Sequence, residues 1–327
     1  MISRRDVLAS SAAFLCGALA PAKIFAQPND FPKLPIRMIV PFAPGGGVDV
    51  FARLIAQKLF ELKGYTVVVE NRSGGNGTVG GVAVEHANAD GYMILFSAGT
   101  HVMARSVMKS PPYDPMTDFT PIARAGEAPM LLVMAPQRPE KTITEIIAAA
   151  RQHPDQWTFA TSALGAPGYL ATVAFNKIAD LNLVIVPYRG TAPGLADVAA
   201  GQVQLMIDPV LAMLPMARNG EVKAVALTSA KRSKLAPDIP TAAESGLLGF
   251  DHSSWYGVWG PKGMSADLVS FLNAAVNEAV KALADGGQLA TLGIEPVTET
   301  PQQFSDFSRD YLRRGAELLE STNFEPM

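Results

Sequence analysis

Short apolar runs rich in β-branched residues alternate along this chain with stretches whose apolar residues recur every three or four positions. A period of two marks a half-buried strand, and a period near 3.6 marks a helix with one buried face. On that basis strands are predicted at 36–40, 66–70, 93–97, 130–135, 158–161, 184–186, 205–207, 222–227 and 256–259. Helices are predicted at 49–63, 79–87, 144–153, 169–179, 192–200, 266–283 and 301–321. In the helix near 144, Ile143, Ile146, Ile147 and Ala150 share one face, and Thr142 with Glu145 forms a capping box. Thr300 and Gln303 repeat that device, with Pro301 at the first helical position.

Strand–helix alternation throughout implies an α/β fold, with mostly parallel sheets carrying helices on both faces. The strands are too many for one ordinary sheet, and the pattern breaks twice. Residues 109–128 hold Pro111, Pro112, Pro115, Pro121 and Gly126, and residues 229–254 are polar, Pro- and Gly-bearing and without period. Crossings between two lobes are therefore placed near Gly126 and Phe250. Residues 27–125 plus 251–327 form lobe 1, and residues 126–250 form an inserted lobe 2.

Residues 1–26 read as an export signal. Arg4-Arg5 precedes an apolar run to Ala20 and a segment ending at Phe25-Ala26. The paired arginine after Ser3 is similar to a Tat signal, although Val7 and Ala9 replace its usual Phe and Lys. The run is shorter than the ~20 apolar residues that span a bilayer, so the expected product is a soluble periplasmic protein.

Composition narrows the chemistry further. The chain has 27 Lys plus Arg against 30 Asp plus Glu, a net charge of −3, with no basic face for a nucleic acid. Its one cysteine, Cys16, lies in the signal, so disulfides, Cys-ligated zinc, Fe–S clusters and a Cys nucleophile are excluded from the folded body. The four histidines, His86, His101, His153 and His252, have no metal-ligand spacing, and no cofactor or metal is expected.

The loops after the strands carry the candidate chemistry. Pro41-Phe42-Ala43-Pro44-Gly45-Gly46-Gly47-Val48-Asp49 runs from the first strand into a helix. Its glycines let backbone amides approach a ligand, and the helix start adds partial positive charge, a combination that favours an anion. The loop lacks the Lys-Ser/Thr of a P-loop and the spacing of a dinucleotide fold. Asp49 is expected to cap the helix by accepting from the amide of Phe51 or Ala52.

Ser97-Ala98-Gly99-Thr100-His101, Thr161-Ser162 with Gly165-Ala166-Pro167-Gly168, Tyr188-Arg189-Gly190-Thr191 and Ile207-Asp208-Pro209 end later strands in the same way. In open α/β sheets ligands sit at the carboxyl ends of strands, so these loops are expected to meet across a cleft. Tyr188 could supply an aromatic wall and Arg189 a charge, or Arg189 could stand in solvent at the rim. Ser97 with His101 also permits a hydrolase reading, but Gly-x-Ser-x-Gly is absent. The methionines and tryptophans are read as core.

Taken in order, a set of short motifs resembles the receptors of tripartite tricarboxylate transporters, the Bug-type periplasmic solute-binding proteins. The marks are Val40-Pro41-Phe42 with Gly45-Gly46-Gly47-Val48-Asp49, Glu70-Asn71-Arg72, Asp90-Gly91-Tyr92, Tyr113-Asp114-Pro115, Pro187-Tyr188-Arg189-Gly190, Pro237-Asp238-Ile239-Pro240 and Trp255-Tyr256-Gly257. The resemblance spans essentially the whole chain after the signal. It implies a two-lobed, type II-like periplasmic binding fold that closes on a small carboxylate in the cleft and delivers it, as a monomer, to integral membrane subunits. It also implies that ligand is held by Phe42, Ala43, Gly45, Gly46, Asp49, Ser97, Thr100, His101, Thr161, Ser162, Gly165, Pro167, Tyr169, Tyr188, Arg189 and Gly190, with Asp208 at the pocket edge.

Two departures from the family pattern fall in that pocket. Val102-Met103-Ala104-Arg105 replaces the usual Ala-Ile-Asn-Pro, and Ala166-Pro167-Gly168-Tyr169-Leu170 replaces the usual Gly-Ser-x-x-His. Both imply a ligand with an apolar or aromatic body. The reading is a receptor and not an enzyme; the alternatives are a ligand sensor for a membrane signalling partner and an exported serine esterase using Ser97 or Ser162.

Overall fold

A computed structural model describes residues 31–327, so the expected export signal lies outside the described residues. The elements in order are β1 (Ile36–Val40), α1 (Gly47–Lys63), β2 (Val67–Asn71), α2 (Thr78–Glu85), β3 (Met93–Ala98), α3 (Gly99–Val102), α4 (Ala104–Val107) and β4 (Phe119–Met134). Next come α5 (Ile143–Gln152), β5 (Thr158–Thr161), α6 (Pro167–Ile178), β6 (Val184–Pro187), α7 (Thr191–Ala199), β7 (Leu205–Pro209), α8 (Val210–Arg218) and β8 (Lys223–Leu227). The chain closes with β9 (Ser253–Pro261), α9 (Ala266–Asp285), β10 (Glu295–Pro296) and α10 (Pro301–Glu320).

The strand order is β2-β1-β3-β9-β4-β7-β5-β6, with β8 and β10 also pairing with β4. β4 spans two sheets. Its first part pairs antiparallel with β9 as far as Pro129↔Ser253, and from Met130 onward it pairs antiparallel with β7 and β8. β1 with β2 and β3, and β5 with β6 and β7, are parallel. The α/β class is therefore as read from the sequence, but the sheets are mixed. The expectation of mostly parallel sheets fails at β4 and β9, which pair antiparallel with each other and with their other partners.

Alternation along β4 builds cores on both faces of the second sheet. Met130, Leu132 and Met134 join Ile146 and Phe175, while Leu131, Val133 and Ala135 join Leu195 and Met213. The first sheet is backed by an aromatic cluster of Tyr113, Phe119, Trp255, Trp259 and Phe304. The tryptophans and most of the methionines are core, as their apolar settings suggested.

Three local readings change. Pro121 and Gly126, which break the apolar pattern of 109–128, lie in the first part of β4, where the pairing shifts register between Pro121 and Ala123 and again between Arg124 and Gly126. A proline cannot donate to a ladder, and such shifts accommodate it. α8, which contains Pro215, was not predicted. The Thr142 capping box is half formed: Thr142 accepts from the Glu145 amide, but the Glu145 carboxylate accepts from Lys141 N. The box at Thr300 is complete.

One contact fixes how α6 sits on the second sheet. A side chain on Gly168 would begin 2.1 Å from the Ile207 carbonyl oxygen and 3.0 Å from Asp208 Oδ1. Gly168→Ala therefore overpacks a rigid backbone contact and is expected to lower stability by about 1–3 kcal/mol, measured by urea unfolding. An unchanged midpoint would show that α6 is free to shift.

Candidate functional site

Four strand-to-helix junctions meet around one cavity. α1, α6, α7 and α8 all start there, and Gly46, Gly47, Val48, Ala166, Pro167, Gly190, Thr191 and Pro209 line it. The cavity is narrow, with about 30 Å³ open to a water-sized molecule. The first amides of a helix have no partner within it and carry the positive end of its dipole, so their convergence suits an anion. A wider groove beside α10, lined by Leu170, Lys177, Trp255, Phe307 and Arg314, meets only the α6 start at Pro167. The smaller cavity therefore concentrates the binding chemistry.

Asp49 is not the cap of α1. The helix begins at Gly47, its N-cap is Gly46, and no side chain caps it. Asp49 instead accepts from the Gly45 amide at 3.0 Å, from Asn71 Nδ2 at 2.9 Å and from Arg53 Nε at 3.1 Å. Burial raises its carboxyl, but Arg53, Gly45 and Asn71 together hold it below its usual value. The carboxylate thus shapes the loop and leaves the early amides of α1 facing the cavity.

Asp208, at the end of β7, is only 2 % exposed. Its Oδ2 accepts from Thr191 Oγ1 at 2.5 Å and its Oδ1 from Ser162 Oγ at 3.3 Å. Burial pushes this carboxyl up to about 7, against the lowering effect of the two hydroxyls. The Tyr256 ring is wholly buried nearby; its hydroxyl has no hydrogen-bond partner and lies 3.0 Å from where a Gly47 side chain would begin.

The structure brings Phe42, Gly46, Asp49, Thr100, Ser162, Pro167, Gly190 and Asp208 to the cavity wall. Other expected contacts serve the backbone or the core. Gly45 donates to Asp49, Ala43 N donates to the Arg189 carbonyl at 3.0 Å, and Thr161 Oγ1 donates to the Ala163 carbonyl. The Arg189 side chain is exposed, and Gly165 packs on Met103 and Val107. Tyr188 donates to Asp197 at 2.6 Å, which turns its hydroxyl away from the cavity.

Ser97 and His101 also leave the site. His101 packs on Phe119 and Trp259, with ring centroids 4.4 Å and 4.8 Å away, and burial lowers its imidazole to about 3. Ser97 Oγ and His101 Nε2 are both buried without partners, so the pair forms no nucleophile–base couple.

Tyr169 packs edge-on against Phe324, and Met103 lies against Gly165 and Gly315. Neither lines the cavity, so the aromatic pocket expected from them is not built. The apolar wall comes from Phe42, Val48, Ala98, Ala166, Pro167 and Pro209. Gly47, Val48, Ala98, Ala166, Thr191 and Pro209 lie in the loops expected to meet across the cleft, and Ser254 lies outside them. Ser254 carried no signal in the sequence that could have placed it there.

Across the cavity's edge the two sheets are tied by hydrogen bonds. Asn76 Nδ2 donates to the Leu164 carbonyl at 2.9 Å, and Asn76 Oδ1 accepts from Leu164 N at 2.6 Å. Asn76 holds a left-handed backbone, with φ 57°, inside a Gly-rich turn. Gly190, at φ 135°, makes room for the Ala43–Arg189 bond, because a side chain there would begin 3.2 Å from Ala43 N. Among the described residues, no cluster of His, Cys, Asp and Glu could hold a metal, and no helix is long and apolar enough to cross a membrane.

The family described as tripartite tricarboxylate transporter family receptor matches residues 51–324. Protein BugT of Bordetella pertussis is 36% identical over 296 residues, covering 90% of this chain and 91% of its own. The solved structure of R. palustris Rpa4515 with adipate is 33% identical, covers 91% of this chain and 100% of its own, and superposes with a TM-score of 0.87. MatC from Rhodopseudomonas palustris with bound malate is 32% identical, covers 88% and 100%, and has a TM-score of 0.83.

Two outcomes follow from this geometry. Asp208 has a folded-state value raised above that of an unfolded carboxyl, so ionising it costs the fold stability as pH rises through about 7. Asp208→Asn lacks that cost, and its stability relative to the parent is expected to improve by roughly 2 kcal/mol between pH 5 and pH 8 in calorimetry; a pH-independent difference would contradict a buried titrating Asp208. Asn76→Gly keeps the left-handed turn but removes two bonds, worth about 0.5–1.5 kcal/mol each. Small-angle scattering is then expected to show a larger radius of gyration, and an unchanged curve would mean that other contacts hold the two sheets together.

Proposed function

Because this chain belongs to the tripartite tricarboxylate transporter family of receptors, we propose that it captures a small carboxylate in the periplasm and delivers it to integral membrane subunits. The observation that carries the ligand class is the convergence of the α1, α6, α7 and α8 starts on one cavity. None of the cavity's lining residues is Lys, Arg or His, so amides and hydroxyls would hold the anion. Walls of Phe42, Val48 and Pro167 suit the aliphatic part of a short acid. The similar proteins with bound adipate and malate support this class.

The sheets on either side of the cavity are the natural bodies of two lobes. Ligand would favour the form in which both loop sets reach it, with Asn76–Leu164 and Ala43–Arg189 bonded across the edge. The separation of Ser97 from His101 speaks for a receptor and against an esterase. The Arg4-Arg5 signal pattern supports export.

A thermal-shift panel of adipate, malate, succinate, citrate and benzoate tests the reading. A ligand at 100 times its Kd stabilises by about 2.7 kcal/mol, which is a shift of several degrees. A selective shift with one or two aliphatic acids is expected, and no shift with any acid on folded protein defeats the proposal. In Gly46→Val the new side chain begins 3.3 Å from Thr191 Oγ1 and obstructs the amides. Affinity is expected to fall at least tenfold with the fold retained; wild-type affinity would remove this loop from the site.

A further inference from the structure

The wall of this anion cavity contains a carboxyl group of its own. Asp208 is held by two neutral hydroxyls, from Ser162 and Thr191, and is closed off from solvent. The groups around it come from every neighbouring element. β9 presents Tyr256 and Ser254, α6 presents the bare backbone of Gly168, and β4 places Leu131 beside it in the ladder. α1 contributes Asp49 to the same cavity, and that carboxylate already occupies Arg53. His101 lies in the aromatic cluster, and the Arg189 side chain is exposed. Asp208 therefore has no cation to balance it when a second carboxylate arrives, and two like charges in one desolvated site cannot both persist.

We propose that Asp208 takes up a proton as the ligand binds, so that carboxylate capture is coupled to proton uptake and the neutral Asp208 donates a hydrogen bond to an acceptor oxygen of the ligand. The proposal rests on the reading of the cavity as a carboxylate site. The step is a proton transfer alone: a solvent proton bonds to Asp208 Oδ1, whose Ser162 contact is the longer one, while Thr191 keeps donating to Oδ2. Burial has already brought the carboxyl up to about 7, so little further bias is needed near neutral pH. The arrangement also selects: an acceptor oxygen is welcomed, and an ammonium at that position, which can only donate, meets a group that is itself donating.

The test is titration calorimetry of the whole mature protein with adipate, malate and succinate, at pH 8, in buffers of different ionisation heat. These acids are fully ionised there, so protons taken up enter the protein. Uptake close to one proton per ligand is expected, with affinity falling roughly a hundredfold between pH 6 and pH 9. Asp208→Asn, which donates without titrating, is expected to take up none, to bind with a flat pH profile and to bind more tightly than wild type at pH 9. Binding by wild type without proton uptake overturns the inference and leaves the carboxylate reading intact. Failure of all three acids to bind overturns both. The wild-type proton count decides the matter even if the variant does not fold.

Discussion

Everything in this protein is arranged around helix starts that have no partners of their own. α1, α6, α7 and α8 begin at the wall of a single cavity, and the amides of each first turn need acceptors that the helix cannot supply. Small or imino-acid residues stand at these starts, Gly46-Gly47, Ala166-Pro167, Gly190 and Pro209, so backbone and not side chain forms much of the wall. An anion completes such a site without any lysine or arginine. The same field acts on Asp49 and Asp208, the two carboxyls of the wall. Asp49 is kept ionised by Arg53, Asn71 and Gly45, whereas Asp208 has only hydroxyls and is driven toward its neutral form.

The second organising feature is the antiparallel pair of β4 and β9. β4 carries the chain from one sheet to the other in an unbroken strand, and β9 returns beside it from an irregular segment whose one strand-like contact is the Leu227↔Thr241 bridge. β4 is the strand that pairs in both sheets and so joins them. Bonds at the far edge, from Asn76 to Leu164 and from Ala43 to Arg189, then matter more than their number suggests. They bring the α1 loop and the α7 loop face to face, which is how Gly46 comes to lie against Thr191.

Much of the fold was legible. Eight of the ten strands and the longer helices other than α8 lie where hydrophobic period put them, because each buries one face and the spacing of its apolar residues reports which. β4 was half hidden because Pro121 and Gly126 are turn signals in isolation, yet the register shifts beside them and an antiparallel partner accommodate them. The mixed sheet was illegible for a related reason: strand direction is set by which distant segment lies alongside, and period says nothing of it.

For the site, the sequence by itself determined the backbone chemistry: glycine-bearing strand-to-helix turns, Asp208 at a strand end and hydroxyls at Thr100 and Ser162. It also determined the family, through an ordered set of short motifs. Tertiary structure alone decided which neighbouring side chain faces the cavity. Thr100 does and His101 does not; Pro167 does and Tyr169 turns to Phe324; Gly190 does and Tyr188 turns to Asp197. Adjacent residues at a strand end or helix start point in different directions, and which of them meets ligand or core depends on packing against elements far away in the chain.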